Sequence, residues 1–223
     1  MSEGHDVAYR DLRRRVRAVV EQIDPSALER IAPATPKWSA HDVLAHLVGV
    51  PEDVVNGRMD GIASDAWTQA QVDRRAAASV GELLAEWDDC APPFEALLAG
   101  GPAEITGQAI FDAGTHEHDL LNALGIAGDR DSRAIGVGWE WIVNARTRGN
   151  APAICFVTES GEQISGTGDA VARVEAPRFE LFRAVSGRRT ADEIKGYGWD
   201  REPDPRLLIA ADFFSIPERS IGE

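Results

Sequence analysis

Across residues 7–148, apolar side chains return every three or four positions, in runs punctuated by serine, proline and glycine. That period commits most of the chain to amphipathic helices around a shared core, and leaves little of it for sheet. Residues 7–23 place Val7, Leu12, Val16, Val19, Val20 and Ile23 at helical spacing, with Arg13, Arg14, Arg15 and Arg17 among them. Pro25, Pro33 and Pro36 then form a connector. Ser39 is predicted to cap a second helix, with Asp42 three residues on as in a capping box. Val43, Leu44, Leu47, Val48 and Val50 continue it, and Pro51 is expected to kink or restart it before Gly57. The same capping spacing recurs at Thr68/Gln71 and Ser79/Glu82, predicting two further starts. Leu83, Leu84, Trp87, Phe94, Leu97 and Leu98 line the second of these, which Pro92 and Pro93 are expected to break or kink. Helices over about 108–124 and 133–148 follow, and Trp139 and Trp141 in the latter read as packing residues.

The pattern changes near Gly149. Ile154, Phe156 and Val157 form a strand-like run, SGEQISG supplies turn residues, and 171–174 suggests another strand. Residues 179–185 return to helical spacing, and Thr190 with Glu193 caps a short helix. The expected fold is therefore mainly α with a small α+β C-terminal module. It divides into a helical bundle over 1–149, carrying the chemistry, and a small domain over 150–223.

Charge narrows the partners. Lys+Arg 23 against Asp+Glu 37 gives a net charge of −14, which disfavours a nucleic-acid backbone or an anionic membrane surface. The arginines of the first helix read as a solvated face balanced by nearby acids. No apolar run reaches the roughly 18–20 residues of a membrane span, and the N-terminus lacks the apolar region of a secretory signal. A cytoplasmic location is expected, with small molecules as partners and a monomer or homodimer as the assembly. The two cysteines, Cys90 and Cys155, belong to no CxxC motif and read as unpaired thiols.

The histidines and acids carry the chemical signal. His5 is expected to face solvent, and His41 to point away from the apolar face of its helix. His46 lies on or beside that apolar stripe, where a hydrogen-bonded core histidine and a metal ligand are competing readings. In FDAGTHEHDLLNALG, Asp112 and His116 are four residues apart and share one helix face. His116 and His118 are roughly 200° apart around the helix, so only one of them can join a given site. A carboxylate and a histidine at this spacing, completed by one histidine from a neighbouring helix, make a three-ligand set with an open position. From spacing alone, a metal site and a set of solvated polar residues near a helix end are equally good accounts.

Three segments together resemble a known family. WSAHDVLAHLVG, THEHDLLNALG and FELFRAVSGRRTADEI are similar to the mycothiol-dependent maleylpyruvate isomerases, members of the DinB-like set of metal-binding four-helix bundles. The resemblance implies His46, Asp112 and His116 as metal ligands, and Asp119 as the acid trailing them. The family carboxylate is often Glu, so Asp112 is one methylene short and His118 is a fallback ligand. The resemblance further implies a divalent metal, usually zinc, with mycothiol or a similar thiol as cosubstrate. Zinc at an open site would turn that thiol into a thiolate for isomerisation or S-transfer on a small electrophile. Asp42, four residues before His46, is a candidate to accept the second N–H of that ligand, although charge at a helix N-terminus accounts for it equally. Arg183, Arg188 and Arg189 are candidates to clamp a substrate carboxylate, and Asp119, Arg188 and Arg189 are the candidate catalytic residues. Two other functions remain open: a non-catalytic metal- or ligand-binding module, and a hydrolase whose nucleophile is metal-bound water.

Overall fold

The computed structural model describes residues 4–209 and 214–223. Five helices make up the first compact unit, which extends through Gly128: α1 (His5–Val20), α2 (Ala40–Val55), α3 (Asp65–Arg75), α4 (Val80–Gly100) and α5 (Ala103–Leu124). Four of them close a ring in the order α1–α4–α2–α5, and α3 lies against α2. The apolar residues of the expected faces fill this bundle: Leu12, Val16, Val43, Leu44, Leu47, Leu83, Trp87, Phe94, Ile110 and Leu120 are all buried. Inside the core, Trp87 Nε1 donates to the Tyr9 hydroxyl at 2.7 Å, so neither large ring carries an unsatisfied polar end.

Ser39 and Ser79 form complete capping boxes with Asp42 and Glu82, as their spacing predicted. Three expectations need correction. α3 starts at Ser64, whose side chain accepts from the Trp67 amide, so Thr68 is an interior residue bonding back to the Ser64 and Asp65 carbonyls. α4 runs unbroken through Pro92 and Pro93. Both prolines, and Asp88 and Asp89 whose carbonyls lose their donors, are exposed, so this side of the helix is open to solvent. α5 begins at Ala103 instead of about 108.

The second unit starts at Asp129, so the division falls at 128/129 and not near 149. The helix that moves is α6 (Arg133–Arg148), which packs on a small sheet and on α7 (Arg178–Val185). The sheet consists of β1 (Pro152–Thr158), β2 (Gly161–Ser165), β3 (Thr167–Glu175) and β4 (Gly198–Trp199), in the order β2-β1-β3-β4. β1 pairs antiparallel with β2 and parallel with β3, and β4 is antiparallel to β3. The bundle is already closed by four helices, and this sheet needs one face covered. The apolar stripe of α6 covers it: Trp139 meets Phe156 edge-on at 5.2 Å, and Ser165 Oγ donates to the Val143 carbonyl at 2.6 Å. The segment read as turn residues, SGEQISG, supplies β2 itself. Thr190 caps α8 (Ala191–Lys195) with Glu193, as expected. Among the described residues no helix is long and apolar enough to cross a membrane.

Candidate metal centre

α2 and α5 are neighbours in the ring, and their facing sides bring together the residues that spacing could only suggest. His46 from α2, and Asp112 and His116 from α5, present ligand atoms that all lie within 4.8 Å of one another. His46 Nε2 is 3.3 Å from Asp112 Oδ2, and His116 Nε2 is 3.7 Å from Asp112 Oδ1. Four ligands placed tetrahedrally at zinc bond lengths stand roughly 3.3 Å apart, so the spacing suits such an ion. The shorter aspartate arm reaches. The His46 side chain is 0% exposed, His116 12% and Asp112 36%, so the cluster is closed on the α2 side and open at the carboxylate.

The outer nitrogen of His46 decides what that ring turns inward. His116 Nδ1 lies 3.1 Å from Asp119 Oδ2, and His46 Nδ1 lies 2.8 Å from Gln71 Oε1. The Gln71 amide oxygen is an acceptor, so the His46 ring carries its proton on Nδ1 and turns its Nε2 lone pair toward Asp112, whereas His116 Nδ1 lies beside Asp119 without hydrogen-bond geometry to it. Burial pushes the His116 imidazole below its ordinary value, against the opposing pull of Asp119, and favours the neutral ring a cation needs. His46 Nε2 is buried with no hydrogen-bond partner among the described residues. A histidine lone pair and a second imidazole converging on a carboxylate are the donor set of a cation site. Trp38 forms an aromatic wall, its ring 5.3 Å from that of His46 and 5.9 Å from that of His116.

The remaining candidates separate cleanly. His118 occupies another face of α5, its ring packed so tightly on Gly128 that a Cβ there would come within 2.5 Å. It therefore stands apart from the trio. His41 bonds to the Ala78 carbonyl at 2.8 Å. His5 is half-buried, with Nδ1 2.8 Å from Thr106 Oγ1, and does not simply face solvent. Asp42 spends its carboxylate on Ser39 N and Oγ, at 2.8 and 2.9 Å, so it is a cap and not the partner of His46. Asp119 is fully buried and touches the site through His116. Glu117 is buried in a bidentate pair with Arg15, both bonds 2.8 Å, so one arginine of the first helix serves the core instead of solvent. In the second unit, Arg189 is forked onto Glu180 at 2.6 and 3.1 Å and also donates to Glu223 at 2.8 Å. Arg183 shares Glu223, and Arg188 donates to the Ser186 carbonyl. Holding an external carboxylate with Arg189 would require displacing Glu180. Two residues near the site carry no signal of it in the sequence: Gln71, whose spacing from Thr68 is that of a capping partner, and Asp53.

Fold and site together define a DinB-like four-helix bundle with a histidine–aspartate–histidine cluster between two of its helices. A family model, the mycothiol maleylpyruvate isomerase N-terminal domain, matches residues 9–119. The bundle belongs to that family. The chain is similar in fold to the crystal structure of a mycothiol-dependent maleylpyruvate isomerase, with TM-score 0.63 and 11% identity, over 92% of this chain and 96% of that one. A histidine-to-alanine mutant of the same enzyme gives TM-score 0.61 at the same identity and coverage. No curated protein matches the sequence significantly.

Proposed function

We propose that the chain is a metal-dependent enzyme that uses mycothiol or a similar small thiol to isomerise, or to transfer sulfur to, a small electron-poor alkene. The observation that carries this reading is the convergence of His46 Nε2, His116 Nε2 and the Asp112 carboxylate, with the His46 ring proton held on its outer nitrogen by Gln71. A divalent ion such as zinc at that trio would make a thiolate available near neutral pH.

The chain's own residues do the rest. His46 and His116 offer ring nitrogens, Asp112 offers a negative charge, and the Asp119 carboxylate lies 3.1 Å from the outer nitrogen of His116. Trp38 bounds the space beside the two imidazole rings. No cysteine of the chain is suited to be the nucleophile: burial raises the Cys90 thiol to about 11, and burial also raises Cys155. The sulfur is therefore external. For isomerisation, a thiolate adds to one alkene carbon and the π pair moves to the substrate's electron-withdrawing group. The resulting single bond rotates, and expulsion of the thiolate restores the double bond as the other isomer. If the carbon–sulfur bond is retained and the enolate takes a proton from water instead of expelling the thiolate, the product is the thioether adduct of S-transfer. The similarity to enzymes named for mycothiol and maleylpyruvate supports both the thiol and an unsaturated keto acid as substrate class.

The test is metal analysis of purified wild type beside His46→Ala and His116→Ala, with turnover of an electrophilic alkene measured with and without mycothiol and chelator. Bound metal in wild type alone, and turnover needing both metal and thiol, support the proposal. Thiol-independent turnover would replace it with a hydrolase, and metal without turnover across a broad electrophile panel would replace it with a binding module.

A further inference from the structure

His46 is the most enclosed of the three convergent residues, and what holds it lies outside the trio. Its Nδ1 is 2.8 Å from Gln71 Oε1, and Gln71 Nε2 is 2.9 Å from Asp53 Oδ2. All three side chains are buried. Their chemistry fixes the direction of each bond. A carboxylate can only accept, so the amide nitrogen of Gln71 must face Asp53 and the amide oxygen must face His46. An amide oxygen can only accept, so the proton of His46 sits on Nδ1. Asp53 is anchored in turn by Arg58 Nε at 2.7 Å and an Arg74 guanidinium nitrogen at 2.5 Å, both donating to Oδ1 and leaving Oδ2 for the amide.

The opposite tautomer would change what the site is. With the proton on Nε2, His46 would donate to Asp112 across the 3.3 Å between them, and the trio would close on itself as a hydrogen-bonded pair. Gln71 thus selects between a ligand and a donor. α3 can deliver it only because α2 has Gly49 where they cross: a Cβ at Gly49 would come 2.6 Å from Gln71 Cβ. We propose that Gln71 and Asp53 are positioning residues, forming a buried relay that holds His46 in the Nδ1–H tautomer and presents Nε2 as a ligand atom. The purpose of the relay rests on the metal reading above, while its geometry does not.

Both parts can be tested on the full-length protein. Long-range imidazole 15N correlation spectra at pH 8 report the His46 tautomer in metal-free protein, with its signals assigned by their loss in His46→Ala. Zinc affinity follows from competition with a chromophoric chelator. Wild type is expected to show a protonated Nδ1 and an unprotonated Nε2. Gln71→Leu is expected to bring up the Nε2–H form and to raise the zinc Kd by about 10–100-fold. The double variant Gln71→Glu/Asp53→Asn reverses donor and acceptor between the two positions without changing net charge. It keeps an acceptor for Nδ1–H, so it is expected to restore the tautomer and bring zinc affinity to within about threefold of wild type. A folded Gln71→Leu that keeps the Nδ1–H form and wild-type affinity would overturn the relay. If Gln71→Leu does not fold, the double variant decides alone, with the restored tautomer supporting the relay and its loss overturning it. Failure of wild type to bind zinc would remove the metal reading, and the tautomer would still decide the relay.

Discussion

Gly49→Ala isolates the one close approach on which the inner site depends. In the interior of an exposed helix this change stabilises by about 1 kcal/mol, because alanine loses less backbone freedom than glycine. At Gly49 the new methyl would sit 2.6 Å from Gln71 Cβ and 2.9 Å from both Gln71 Cγ and an Arg75 guanidinium nitrogen. Carbon atoms pack at about 3.5–4.0 Å, so α3 has to recede by about 0.9 Å. The Cβ of Gln71 is fixed to the helix and cannot swing aside, so the whole element moves. Overpacking of this kind costs about 1–3 kcal/mol. Recession also stretches the 2.8 Å bond to His46 beyond hydrogen-bonding range, which adds about 1 kcal/mol. The net expectation is a loss of about 1–3 kcal/mol, or about 3–9 °C in the melting temperature of the bundle. Zinc affinity should fall about tenfold with it. The natural control is Gly136→Ala in α6, where the nearest atom to the new methyl is 3.9 Å away and the same substitution should stabilise. Differential scanning calorimetry of both variants, with zinc competition titrations on the first, reads all of this. A Gly49→Ala protein that melts higher than wild type, or melts lower yet binds zinc as wild type does, would refute the coupling of α3 to His46.

Three further outcomes are expected. His46→Ala and His116→Ala should each strip most of the metal, while His41→Ala, His5→Ala and His118→Ala should retain it; the check is metal content by mass spectrometry. Cys90→Ser/Cys155→Ser should keep its activity, and Cys90 should resist alkylation at pH 8 until the chain unfolds. Because folding raises the Cys90 thiol from 9.0 to about 11, it remains protonated in the fold where the unfolded chain has released its proton, so its contribution to stability should fade as pH rises from about 9 to 11. Glu223→Ala removes the carboxylate shared by the buried Arg183 and Arg189, and should destabilise the second unit by about 2–4 kcal/mol in urea unfolding, less than a wholly broken buried pair because Arg189 keeps Glu180.

Much of the fold is local physics and can be read from the chain. The caps at Ser39 and Ser79, the stop at Gly125 and the apolar stripes follow from hydrogen-bond valence and the 3.6-residue period, which act within one turn. Asp112 and His116 share a face for the same reason. Prolines misled where exposure was the deciding variable: Pro92 and Pro93 lie within α4 on its exposed side, where solvent has access to the carbonyls a proline leaves open. The position of α6 was illegible because its stripe fits a bundle as well as a sheet, and only the closure of four other helices decides between them.

The site shows the same division. Local spacing could place Asp112 with His116 and hold His46 to an apolar stripe, but it could not say whether His116 or His118 faced α2, nor what His46 touched. That depended on how α2, α3 and α5 pack. Gln71, three residues from Thr68, had the spacing of a capping partner, and the fold carried it to a histidine 25 residues away instead. A hydrogen bond across that separation leaves no periodic trace in the chain, because it is made by two helices meeting at a glycine and not by the residues along either one. The sequence by itself determined the helices and the residue types available for chemistry. The tertiary structure alone decided which lone pairs converge.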